Sequence, residues 1–420
     1  MGVALRFAFS LGLHVRNEDP SASPTKKEML VRIWWSLYCL ERLLSIITGR
    51  PSIIVDSVCS VPLPAPFPAD QVADHMDEVE HLRNPLGYPL SQMVTSSSVI
   101  SPTFSSSFDH SMMNSPRTPT GMGPMVANSG SYFKAMVQLG IITQNILTSL
   151  YSAGTMIRAL ADIQQDMVQL SQRLDQWVVS IPSEFNFKTH HPRARSSLSS
   201  STCFRERVLL GFNFCSARIL LTRPCLFALN HSQAAADLNM PTTFIRRMAD
   251  VCVDAAKTVA DFLPEQPNAL FIYENGPWWC IVHSLMQTAS VFLLALSYSV
   301  SGSQEVVVLS QYAKKLVRWL RMMKDPLAER AYQMALSTLE AVAGRLSLDI
   351  SDLWIEDAMA FPTSSLRRTQ AVPYGAGRGR LPDDAHTAAS MFTSFDPMPA
   401  SNYPQQDHDP SFGGPYFHHN

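Results

Sequence analysis

Residues 32–51, RIWWSLYCLERLLSIITGRP, set the class of the whole chain. Together with the residues just before them they place Met29, Leu30, Ile33, Trp34, Leu37, Leu40, Leu44 and Ile47 at spacings of three and four, which predicts an amphipathic helix over 26–48. Gly49 supplies the left-handed residue on which helices end, and Pro51 cannot continue one. Apolar side chains cover more than half of the circumference, so this helix is expected to be enclosed by neighbours. After Pro51, Ile53-Ile54-Val55 reads as extended, and Pro62, Pro64, Pro66 and Pro68 hold the chain in a polyproline-like run.

The same period recurs along most of the chain. Leu139, Ile142, Ile146, Leu150, Ile157, Leu160, Ile163, Met167, Leu170, Leu174 and Trp177 predict a long helical segment over 133–179. Further helices are expected at 204–222, 242–263, 277–300, 305–324 and 326–347, the last opened by Asp325-Pro326, an N-cap followed by proline at the first helical position. No strand pattern competes, and the class is all-α: an irregular multi-helix regulatory domain with a disordered insertion and a disordered C-terminal tail. Its first part is 1–68 and its remainder 133–361. Residues 69–132 are Ser- and Pro-rich with little apolar periodicity, and 362–420 combine Pro, Gly, Ser, Asp and His, so both are expected to be too poor in buried surface to order.

Composition excludes several classes. The 420 residues carry 33 Lys and Arg against 35 Asp and Glu, a net charge of −2, which lacks the basic excess of a chain that grips phosphate backbones with its bulk. The seven cysteines, at 39, 59, 203, 215, 225, 252 and 280, contain no C-x-x-C pair and read as buried free thiols. The amino terminus has no secretory pattern, and Arg6 stands where a myristoylation signal wants Ser or Thr. Ile281 to Val300 is long enough to span a bilayer, yet His283, Gln287, Thr288 and four serines make it a core helix. His190-His191 and His418-His419 lack companion ligands at metal spacing, and no nucleophile elbow, phosphate loop or dinucleotide fingerprint occurs. No residue is a candidate for catalysis or for metal, and the chain reads as a non-enzyme.

Leu11-Gly12-Leu13-His14, then Arg32 to Ser45, Gly49-Arg50-Pro51, Asp56 and Val61-Pro62-Leu63-Pro64 form a block that resembles the fungal-specific transcription factor domain, the middle homology region of zinc binuclear-cluster regulators. Later blocks agree in order: LSQRLDQWVVSIP at 170–182, Arg218 to Pro224, Cys252 to Ala256 and Pro277-Trp278-Trp279. Glu41 stands where the family usually has Asp. The resemblance implies a helical regulatory domain of a nuclear transcription factor controlling RNA polymerase II transcription. Its partners would be the transcription machinery, other regulators or a small effector. The family's own DNA contact and its two zinc ions belong to a six-cysteine cluster far upstream of the Leu-Gly-Leu-His block. Only ten residues precede that block here, so no DNA-binding residue and no cofactor is expected in this chain. The alternative is a stand-alone effector-binding or heterodimerising regulator that makes no DNA contact.

The motif residues singled out are Trp34, Trp35, Glu41, Arg42, Gly49, Arg50, Pro51 and Asp56. They read as structural, the Trp pair as core and Arg50 as the partner of Asp56 or of carbonyls at the helix end. The basic clusters at Arg193 and Arg195, Arg367-Arg368, and Arg378 and Arg380 read as solvated linker, and Lys314, Lys315, Arg318, Arg321 and Lys324 as the outer face of a surface helix.

Overall fold

The computed structural model describes residues 1–75, 126–188, 203–230 and 242–354. Among these the regular structure is helical, with no strand. In chain order the helices are α1 (Gly2–Ser10), α2 (Pro24–Thr48), α3 (Ser129–Tyr151), α4 (Leu160–Ser180), α5 (Phe204–Asn230), α6 (Thr242–Phe262), α7 (Ala269–Asn275), α8 (Trp278–Tyr298), α9 (Gln304–Met322) and α10 (Pro326–Leu346). Most of the expected insertion, at 76–125, and all of the expected tail at 362–420 lie outside the described residues, as do the His pairs and the three basic linker clusters.

Local chemistry fixes the helix ends. Ser23 caps α2 by accepting the Lys26 amide at 3.3 Å, and Gly49 closes it at φ 63°. Asp325 accepts the Leu327 amide at 2.8 Å with Pro326 at the first position of α10. Asn128 and Ser131 form a reciprocal capping box, so α3 begins at Ser129 rather than 133.

Two cores result. The smaller holds Leu5 and Ala8 of α1, Val31, Trp34, Trp35 and Tyr38 of α2, Ile54, and Val137 of α3. The larger is built on α3 to α10, with α8 packed against α5, α6, α7, α9 and α10. Among the described residues α8 alone is long and apolar enough to cross a membrane, and its Leu285, Phe292 and Leu296 are instead fully enclosed by protein. Its polar side chains bond to its own backbone: Thr288 to the Ser284 carbonyl at 2.7 Å and Ser284 to that of Cys280 at 3.1 Å.

The sequence expectation differs from the fold at several points. The segment 133–179 is two helices, broken at Ser152 by a 3-10 turn over Ala153–Ile157, and Ile157 is 90% exposed although it keeps the apolar period. Helix α5 runs through Pro224 instead of ending at 222. Proline removes the amide that would pair with the Leu220 carbonyl, and Tyr151 at the end of α3 donates its hydroxyl to that carbonyl at 2.6 Å. Burial pushes the Tyr151 hydroxyl upward, which keeps it a donor. Helix α2 is not enclosed all round. Its buried face is Glu28, Val31, Trp34, Trp35, Tyr38, Glu41, Arg42 and Ser45, while Met29, Ile33 and Leu40 are 47%, 45% and 40% exposed. The two aromatic rings and the charged residues that fasten the following segment take the inside.

Candidate functional site

The family-motif residues converge where α2 hands the chain to residues 52–67. That segment makes a single 3-10 turn at Asp56–Val58 and bonds the His14 carbonyl through the Ser60 and Val61 amides, and its other polar backbone groups need side-chain partners. Helix α2 supplies them from one face. The buried Arg42 guanidinium donates through Nη1 and Nη2 to the Ile54 carbonyl, both at 3.1 Å, and through Nη2 to Asp56 Oδ1. It also lies over the Tyr38 ring, 4.3 Å from the centroid, and Tyr38 donates to Asp56 Oδ2 at 3.1 Å. Glu41, equally buried, accepts from Ser45 Oγ at 3.1 Å, Ser52 Oγ at 2.8 Å and the Ile53 amide at 2.7 Å, and touches Arg42 Nη1 at 3.3 Å.

Between three and four turns earlier the pattern repeats. Glu28 Oε1 accepts from Arg32 Nε at 2.8 Å and from the Ala65 amide at 3.0 Å. Arg32 Nη2 reaches the Ala65 and Phe67 carbonyls at 3.2 and 2.6 Å, and Trp35 Nε1 donates to the Pro62 carbonyl at 2.8 Å. The far end of the strap meets α3: Asn128 Nδ2 donates to the Pro66 carbonyl at 3.1 Å, and a Cβ on Gly130 would stand 2.0 Å from the Phe67 carbonyl oxygen. Only glycine permits that approach.

Arg50, expected to pair with Asp56 or with carbonyls at the helix end, is exposed, and its backbone amide donates to the Ser45 carbonyl at 3.1 Å. The left-handed Gly49 turns it outward, and the inward-facing Arg42 takes the carboxylate instead. Pro51 is exposed beside it. Trp34 is fully buried, with Phe9 at 5.5 Å and His14 at 5.8 Å between ring centroids, and Trp35 meets Tyr38 edge-on at 4.9 Å. Sequence reading missed Glu28, Arg32 and Tyr38. The available signal was a line of donors and acceptors at 28, 32, 35, 38, 41 and 42 on one helical face.

The basic residues of α9 are not an open face either. Lys314 and Arg318 both pair with Asp352 at 2.7 Å, Lys315 with Glu265 at 3.0 Å, and Arg321 donates to the Leu353 carbonyl at 2.9 Å. Lys314, Arg318 and Arg321 fasten the segment that follows α10, and Lys315 ties α9 to the loop after α6.

None of this is equipped for chemistry. The carboxylates are saturated with donors, and burial pushes the Cys39 thiol up to about 12 and, with Asp56 adding to it, that of Cys59 up to about 11, so neither is a nucleophile at neutral pH. The two zinc ions implied by the resemblance find no donor set: no group of three His, Cys, Asp or Glu among the described residues is placed to hold a metal. All seven cysteines are described, and none is in a disulfide.

A cavity of about 40 Å³ lies between α2, α3, α5 and α8, lined by Leu43, Thr143, Asn213 and His283 among others. That is room for one or two waters, far below the roughly 300 Å³ at which ligand pockets begin. His283 Nε2 has no protein partner there, and burial, helped by Arg223, pushes the imidazole down to about 4. Above about pH 6.5 both folded and unfolded chains hold it neutral, and below that only the unfolded chain takes up the proton. Stability should therefore fall by about 2 to 3 kcal/mol between pH 7 and about pH 4.5 on account of this group. His283→Gln should remove that part of the loss in urea unfolding at the two pH values; equal losses in variant and parent would refute the assignment.

Comparison with known proteins gives this architecture its context. Residues 1–179 match the model of the fungal specific transcription factor domain. The chain is 29% identical over 382 residues to the transcription regulator galc of Aspergillus niger, covering 84% of this chain and 44% of that protein. It is 39% identical over 83 residues to the thiamine repressible genes regulatory protein thi1 of Schizosaccharomyces pombe, covering 20% of this chain and 11% of thi1. The chain thus spans less than half the length of these curated relatives. No solved structure matches it. The family match thus falls on the segment that carries the α2 clamp, and the relatives of the chain are named as transcription regulators.

Proposed function

We propose that this chain is the regulatory module of a fungal transcription factor, acting on RNA polymerase II transcription in the nucleus by transmitting a signal rather than by reading DNA. The observation that carries this reading is that the family's motif residues are turned inward: Trp34, Trp35, Glu41, Arg42 and Asp56 fasten the chain to itself and offer nothing to a base edge or a phosphate. DNA reading by the family's cluster requires six thiolates on two zinc ions, and structural zinc contributes on the order of 10 kcal/mol to such small folds. Among the described residues the cysteines of this chain belong to no group of three or more His, Cys, Asp or Glu placed to hold a metal. The partners of such a module are the transcription machinery or other regulators.

Two measurements test the proposal. In a gel-shift titration at about 150 mM salt the chain should show no sequence-specific binding; a specific complex tighter than roughly micromolar that survives competitor DNA would refute it. Fused to a heterologous DNA-binding module, it should change the output of a reporter that carries the matching site. A fusion that leaves the reporter unchanged while the protein is folded and nuclear would remove the regulatory reading.

A further inference from the structure

Helix α10 ends at Leu346, and the chain then turns back onto α9. Ser347 makes the turn in the left-handed conformation, at φ 55°, the one residue other than glycine to do so among the described residues. A residue with a Cβ is strained there. Of the residues that follow, Leu353 is buried in the larger core, and Leu348 and Ile350 are half-buried against it. Ser347, Asp349 and Ser351 face solvent between them.

Helix α9 holds this segment as a receptor holds a peptide. Lys314 Nζ donates to the Asp349 carbonyl at 2.5 Å and to Asp352 Oδ1 at 2.7 Å, Arg318 Nη2 to Asp352 Oδ2 at 2.7 Å, and Arg321 Nη1 to the Leu353 carbonyl at 2.9 Å. Two of these four bonds go to backbone carbonyls, which any sequence offers. Selectivity comes from the other two, which require a carboxylate at 352, and from the apolar site that takes the leucine next to it. Lys314 and Arg318 share that one carboxylate, and Arg321 adds a third positive charge a turn further along, so the site favours an acidic ligand.

We propose that this face of α9 is a docking site for acidic peptides in which a carboxylate directly precedes leucine, filled in cis by Asp352-Leu353, and that a partner carrying the same pair enters by displacing residues 347–354. The cis segment is built for release. Asp352 is 45% exposed, so its ion pairs are screened and individually weak. The hinge at Ser347 relaxes when the segment leaves. The site stands independently of the regulatory reading of the chain, because it is read by peptide exchange on the purified protein.

The probe is a labelled peptide of residues 347–354, SLDISDLW, titrated into the full chain and followed by fluorescence anisotropy. A short tether holds the cis segment at an effective concentration of about 1 mM. If the free peptide binds an empty site at about 100 µM, the filled site of the parent should therefore bind it about tenfold more weakly. Asp352→Ala with Leu353→Ala removes both anchors from the cis segment and leaves α9 intact, so this chain should bind the peptide about tenfold more tightly than the parent. Adding Arg318→Gln should weaken that binding at least fivefold, as should asparagine at the peptide's second aspartate. Asp352→Asn alone keeps Leu353 in the core, and should still gain about threefold if the double variant does not fold. Hydrogen exchange on the parent needs no variant: the amides of Leu353 and Trp354 should exchange at least tenfold faster than those in the middle of α9, and faster still when salt rises from about 50 to about 300 mM. Equal peptide binding by parent and variants, binding indifferent to Arg318→Gln, or protection of 353–354 equal to that of α9 would each overturn the proposal.

Discussion

Arg42→Ala should destabilise the folded chain by about 3 to 5 kcal/mol, the cost of breaking a buried ion pair from one side. The guanidinium satisfies the Ile54 carbonyl twice and neutralises Asp56 beside a second buried carboxylate, Glu41. Its removal leaves the carbonyl with only the Ser52 hydroxyl at 3.3 Å and leaves two acids without their shared cation. Asp56 is 28% exposed and regains some water, which places the expected loss toward the lower end of that range. Arg42→Lys keeps the charge but loses the planar fork that serves the carbonyl and the carboxylate together, so it should recover only part of the loss. Urea unfolding of parent and variants decides the matter, and a loss below about 1 kcal/mol for Arg42→Ala would show that the network contributes little. The same variant should open residues 52–67 to protease, since the strap has no backbone ladder to hold it.

Trp34→Ala should cost a similar 3 to 5 kcal/mol by a different route, the loss of a large ring from a closed core. The ring is fully buried among Phe9, His14 and the remainder of the smaller core. Trp34→Phe keeps most of the apolar contact and should lose less. A change in melting midpoint under about 2 °C for Trp34→Ala would be too small for such a cavity at this chain length. It would overturn the assignment of Trp34 to the core.

The existence of the long helices was legible because each is announced twice, by apolar period and by an end signal such as Asp325-Pro326 or Gly49. The break at Ser152 was not, because Leu150, Ile157 and Leu160 keep the helical spacing across it while the backbone does not. The continuation of α5 past Pro224 was invisible for another reason: the group that replaces the missing amide is Tyr151, some seventy residues away in sequence. The short α1 and α7 have too few turns to show a period. For the clamp, composition showed the residues but not their partners. Arg42 and Arg50 are equally plausible mates for Asp56 in sequence, and the left-handed turn at Gly49 decides between them. The orientation of α2 was ambiguous because both its faces are apolar, one through rings and one through leucines. The buried Glu28 and Glu41 show which face is inside, a signal that hydrophobic period reads backwards.

The family match ends at residue 179, and the larger core does not. Trp177, two residues before that limit, stacks on Phe214 of α5 at 5.9 Å and donates its indole proton to the Ala135 carbonyl of α3 at 3.0 Å. Helix α3 meanwhile belongs to both cores, Val137 to the smaller and Leu139 to the larger. The limit drawn by sequence similarity therefore runs through the middle of one cooperative unit. A fragment cut there would carry every motif residue and still lack half the walls of the hydrophobic interior on which α3 and α4 are seated. The segment that matches the family model and the segment that packs around one interior are different lengths of the same chain.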